Sequence, residues 1–140
     1  MYNMKNKITF NSGIRQYEIN GRAVLRFNPS DPALYKRFKE MADYLSSLEK
    51  EVAEKSASAK NGMDMVDLLS EYDSKVKERL RYVFGQENDF EEIFDGCNVM
   101  AIASNGEMVI TNFLNGIRPI IEDGIKEYAK MEAKKVSRKP

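Results

Sequence analysis

The stretch from Arg15 to Pro32, RQYEINGRAVLRFNPSDP, constrains this chain most, because it specifies a strand, a turn, a second strand and a helix start within one short window. Tyr17 and Ile19 alternate with Gln16 and Glu18, and Ala23, Leu25 and Phe27 alternate with Arg22, Val24 and Arg26. Both arms therefore have the strand period of two. Asn20-Gly21 suggests a two-residue type I′ turn. That turn would set Glu18 opposite Ala23 and Gln16 opposite Leu25, mixing polar and apolar side chains on one face. A three-residue loop, Ile19-Asn20-Gly21 with Gly21 left-handed as a G1 bulge, pairs Tyr17 with Ala23 and keeps the apolar sets together. It also places Glu18 against Arg22, an exposed pair contributing roughly 0 to 1 kcal/mol. Ile8-Thr9-Phe10, followed by the breakers Asn11-Ser12-Gly13, can add a third strand. A lone hairpin is marginal in water, so the sheet must also pack on helices.

The rest of the chain reads as helix. Asp31 caps and Pro32 occupies the first helical position, where its missing N–H costs nothing. The helix then runs to about Ala57, with Leu34, Phe38, Met41, Leu45, Leu48 and Val52 stepping by four and three. Such a seam packs inside its own domain, the favoured reading, or between molecules as in a coiled coil. The short polar loop KSASAKNG makes the next helix, about Met63 to Phe84, an antiparallel neighbour. Val66, Leu69, Tyr72, Val76, Leu80 and Val83 form its inward stripe, with Gly85 as the stop. Asn88 or Asp89 caps a short helix through Phe90, Ile93 and Phe94, closed by Gly96. From Glu107, Ile110, Phe113, Leu114, Ile117, Ile120, Ile121, Ile125 and Tyr128 recur at helical spacing, which predicts the most buried helix, kinked near Pro119. The expected fold is thus mostly helical α+β. An N-terminal hairpin or three-stranded meander precedes an antiparallel helical pair, a short helix and a long C-terminal helix. One domain spans 1–125, and 126–140 is a basic helix end running into a flexible tail.

Composition excludes several kinds of chemistry. With no histidine and only Cys97, a catalytic Ser-His-Asp or Cys-His apparatus, a Cys/His zinc site and an internal disulfide framework are all ruled out. Cys97 reads as a small buried side chain beside Val99. Asp89, Glu91 and Glu92 fall in the first turn of the short helix, where the dipole favours acids, and they do not follow the ligand pattern of a calcium loop. No phosphate-cradling glycine motif is present. Basic and acidic residues balance at 22 each, unlike the basic excess of a duplex nucleic-acid binder. No stretch has the length of a signal-peptide core or a bilayer span. A soluble, intracellular, non-enzymatic protein with no metal and no cofactor is expected, without nucleic-acid or membrane partners.

A protein-binding role fits better. The chain has eight methionines, and Met41, Met63, Met65 and Met131 fall near helix edges, where a flexible thioether surface adapts to a partner. The candidate surfaces are the hairpin edge, the seam of the first long helix and the end of the last. They single out Phe38, Met41, Leu45, Leu48, Tyr128 and Met131 as partner-binding residues.

The strings ITFNSG, YEING, LRFNPSDP, YDSKVKERLRYVFG, NDFEEIFDG and SNGEMVITNFLNGIRPIIEDG together resemble small tail proteins of siphophages and prophages of Gram-positive bacteria. Those proteins are encoded just ahead of the tape measure protein and are similar to tail assembly chaperones. The resemblance spans Ile8 to about Gly124. It implies a non-enzymatic protein of the bacterial host cytoplasm that binds and solubilises the tape measure protein during tail morphogenesis, forms homo-oligomers and meets the tail-tube protein. It carries over no catalytic or ligand residue. The alternative is a structural tail or head-completion subunit retained in the virion.

Overall fold

The hairpin forms with its apolar sets on one face, but in a different register from the expected one. In the computed structural model, which describes residues 6–137, β1 (Arg15–Ile19) runs antiparallel to β2 (Ala23–Phe27). Tyr17 faces Leu25 and Ile19 faces Ala23. The correction lies in the turn. Asn20 and Gly21 both adopt left-handed backbone, with φ of 51° and 71°, and the Arg22 N–H returns to the Ile19 carbonyl at 3.1 Å. This is the type I′ geometry that Asn-Gly favours, and Arg22 then becomes an extra residue, so that Ala23 rather than Arg22 meets Ile19. The expected Glu18–Arg22 pair is replaced. Glu18 faces Val24, and the Arg22 guanidinium donates to the carbonyls of Glu92 and Ile93. The faces survive because a register shift of two residues restores every side chain to its side. Residues 7–14 form neither strand nor helix, so among the described residues the sheet has two strands, not three.

Helix α1 (Pro32–Ala57) begins where Asp31 accepts the Ala33 N–H at 2.9 Å, with proline in the first turn. Its buried residues are Leu34, Phe38, Met41, Leu45, Leu48 and Val52, the whole of the expected seam. α1 packs on both α2 (Gly62–Phe84) and α4 (Val109–Ser137). Arg37 Nε donates to the Val83 carbonyl at 3.2 Å, and the Arg79 guanidinium lies over the Tyr44 ring at 3.6 Å. On the other flank Thr111 donates to Glu49 at 2.9 Å, and Arg118 stands over the Phe38 ring. In both pairs the numbers rise in opposite directions, so α1 runs antiparallel to each neighbour. α1 is therefore the middle of the helical layer.

That placement corrects two expectations. α4 is not the most buried helix. Ile110, Leu114, Ile117, Ile121 and Gly124 are buried, but Phe113, Ile120 and Ile125 are half-buried and Tyr128 is exposed, because α4 is an outer helix. On α2, Val66 is exposed rather than inward, whereas Tyr72, Val76, Leu80 and Val83 are buried as expected. Pro119 lies inside α4, where it offers no N–H to the Asn115 carbonyl. From Lys126 to Ser137 every side chain is exposed, so the helix overhangs the body by about 18 Å at the usual rise per residue. The expected basic helix end continues as helix through Ser137, and residues 138–140 of the expected tail lie outside the described residues.

The short helix α3 (Phe90–Ile93) is capped by Asp89, which accepts the N–H groups of Glu91 and Glu92. After it, Ile102 and Met108 form an isolated antiparallel bridge around Ser104-Asn105-Gly106, leading into α4. An aromatic chain unites these parts. Tyr17 stacks on Phe27 at 4.7 Å, Phe27 meets Phe84 edge-on, and Phe84, Phe90 and Phe94 all contact Phe113. It buries the hairpin face that water alone would leave marginal.

Candidate functional site

The polar groups that sink into the body serve the fold. Lys77 is almost fully buried and satisfies its ammonium with Asp73 at 3.1 Å, Glu91 at 3.1 Å and the Cys97 carbonyl at 3.2 Å. Asp73 also accepts the Val99 N–H at 2.8 Å, so this ion-pair knot pins the 97–100 loop to α2 and α3. Asn88 is buried too, bridging Phe84 and Arg26. Of the acids expected in the α3 first turn, Asp89 is occupied as a cap and Glu91 pairs with Lys77. Among the described residues no three Cys, Asp or Glu side chains gather as a metal-binding group. Cys97 is half-buried, its Sγ directed at the Asn98 carbonyl at 3.2 Å.

What remains open is a trough along α4. Its first part, about 520 Å³, lies between the apolar face of the hairpin and the first half of α4, walled by Tyr17, Ile19 and Phe27 on one side and Phe113, Ile117 and Ile120 on the other. Its second part, about 640 Å³, continues past Pro29 onto the overhang and is floored by Ile120, Gly124, Tyr128 and Met131. Tyr17 and Ile120 line both parts, so the two hollows adjoin along α4. The floor residues step by four, four and three, one face of a helix. Asp123, Glu127 and Glu132 form an acidic lip, and Arg15 stands across from it. Beside Met131, the hydrogen bond from Lys135 to Glu132 at 2.9 Å holds the ammonium above its ordinary range.

The six residues expected to bind a partner divide cleanly. Phe38, Met41, Leu45 and Leu48 are buried in the chain's own core and are not on a surface, because α2 and α4 fill the seam that the heptad pattern left open to either reading. Tyr128 and Met131 are 47% and 51% exposed and lie in the trough. The hairpin edge is also open. β2 is closed on its outer side by Asn88, which takes both the N–H and the carbonyl of Arg26, whereas among the described residues no strand pairs with the outer side of β1 and Gln16 and Glu18 are exposed. The proximal trough escaped sequence reasoning because its two walls lie about ninety residues apart in the chain. Only the half-apolar periodicity of α4 signals it.

No family model, curated protein or solved structure matches the chain. Among the described residues no helix is long and apolar enough to cross a membrane.

Proposed function

We propose that this protein is a tail assembly chaperone of the siphophage and prophage type, which binds the tape measure protein and keeps it in solution during tail morphogenesis. The observation that carries the reading is the pair of adjoining hollows along α4, from the hairpin face to the overhang, with Ile120, Tyr128 and Met131 as apolar floor in the second. An elongated tape measure chain exposes apolar helical stripes before assembly, and such a stripe docks against a helix face with anchors spaced as Ile120, Gly124, Tyr128 and Met131 are. The acidic lip favours a stripe flanked by lysine or arginine. Contact with one chaperone is weak. Many copies along one client make it durable, until the tail-tube protein displaces them. No bond is made or broken, and the buried Lys77–Asp73 pair is engaged in holding the fold together.

Co-expression with the tape measure protein tests this. The client should move from the insoluble to the soluble fraction and co-purify, and unchanged recovery of the client overturns the proposal. Mass spectrometry of purified virions separates the structural-subunit alternative, in which the chain is present in the particle rather than absent.

A further inference from the structure

Residues 7–14 lead into the hairpin as an arm that is exposed along its whole length and turns at its root, where Asn11 Oδ1 accepts the Gly13 N–H and Gly13 is left-handed. Ile8 is 90% exposed and Phe10 79%, the two most exposed large apolar side chains of the described chain. They alternate with Lys7 and Thr9, which is the period of a strand without a sheet. A few residues away, β1 is an edge without a strand. In an antiparallel ladder, successive residues direct their N–H and carbonyl groups alternately toward the partner strand and away from it. Arg26 directs both groups outward, into Asn88, so its cross-strand partner Gln16 directs its own outward on the other side, and Glu18 does the same two residues on.

We propose that the arm of one copy of this chain adds as a third strand to β1 of a second copy. Placed antiparallel with Thr9 opposite Glu18 and Asn11 opposite Gln16, the arm exchanges hydrogen bonds with the outward-facing groups of both. Ile8 then lies beside Ile19 and Phe10 beside Tyr17, over the 520 Å³ proximal trough. Lys7 becomes a diagonal neighbour of Glu18 on the outer face, within reach of a long side chain. Apolar alternation and charge thus match in the same register. The arm does not serve its own β1, because the Ser12 carbonyl is held by Asn28 Nδ2 at 3.1 Å. Asn28 follows the end of β2, so this bond anchors the root of the arm on the β2 side, away from the free edge. Exchange between copies pairs an otherwise exposed edge and covers two apolar side chains at once.

Sedimentation and amide hydrogen exchange on the full chain test the exchange, with no client present, so the result does not bear on the chaperone reading. The chain should sediment as a multiple of 16.1 kDa, with slowed exchange at the Gln16 and Glu18 amides. In Ile8→Asp/Phe10→Asp the mass should fall to that of one copy, and those two amides should exchange faster while α1 keeps its protection. A peptide of residues 6–14 added to the double variant should restore the protection. A monomeric parent chain, a double variant that keeps its mass and protection, or a peptide without effect overturns the proposal.

Discussion

Asn88 grips Arg26 by both ends of its backbone: its side-chain oxygen accepts the Arg26 N–H at 2.8 Å, and its amide donates to the Arg26 carbonyl at 2.9 Å. A single side chain thus takes the place of a strand on the outer edge of β2, and a further bond to the Phe84 carbonyl at 3.0 Å ties that edge to the end of α2. Asn88→Leu removes all three bonds and leaves the buried Phe84 carbonyl and the part-buried backbone groups of Arg26 without this partner. The expected loss is about 2 to 4 kcal/mol of unfolding free energy, read by urea denaturation. Asn88→Asp keeps the acceptor but loses both donations, and should fall below the wild type as well.

The role of Asn88 depends on contacts that a local sequence pattern does not carry. As one of two candidate caps for α3 it looked interchangeable with Asp89, because a local pattern cannot show a partner sixty residues upstream. Lys77 was hidden in the same way: a lysine amid charged neighbours reads as solvated surface, and its burial depends on Glu91 and the Cys97 carbonyl arriving from later in the chain. The α1 seam, in contrast, was legible to the last residue, since its period needs only the helix itself. The hairpin lies between these cases. Alternation determines which side chains share a face, but shifts of two residues leave the faces unchanged, so the register was settled by where Asn20 and Gly21 turn. Of the candidate site, the sequence pointed to Tyr128 and Met131 and to the strand edge; the α1 seam, also a candidate surface, is buried in the core, which is the favoured reading of its period. A periodic apolar stripe looks the same whether its own chain or another covers it.

The Lys77 knot should behave as a coupled unit. Lys77→Met leaves Asp73 with only the Val99 N–H and strips the Cys97 carbonyl of its donor. Glu91 is well exposed and water compensates it, so the cost is about 2 kcal/mol rather than the larger value of a fully buried pair. Adding Asp73→Asn removes the stranded charge while retaining an acceptor for Val99. The double variant should therefore be more stable than the two single losses added together, with a coupling of about 1 kcal/mol in a denaturation cycle.

Gly124 marks a close approach between α4 and the turn leading into α1. A methyl group at this position would overlap the Pro29 carbonyl, which is backbone and cannot step aside. Gly124→Ala should therefore cost about 1 to 3 kcal/mol despite the better helix propensity of alanine, with the melting temperature as the measurement. Gly116→Ala is the control on the same helix. A methyl there meets nothing within 4 Å, so stability should hold or rise slightly.

The overhang of α4 separates binding from folding, because no residue from Lys126 to Ser137 is buried in the core. Tyr128→Asp and Met131→Asp place charge on the floor of the distal trough, beside the acids that already line it. Each should change unfolding free energy by no more than about 0.5 kcal/mol, as exposed substitutions do. Each should nevertheless reduce the yield of soluble tape measure protein on co-expression, since a carboxylate desolvated against an apolar stripe costs more than the contact it replaces. Leu45→Asp is the contrasting variant. That side chain lies in the core between α1 and its neighbours, so the chain itself should fail to fold and recovery of both proteins should be lost. If Tyr128→Asp and Met131→Asp leave client solubility unchanged while the wild type promotes it, the client binds elsewhere, and the distal trough is not the docking surface.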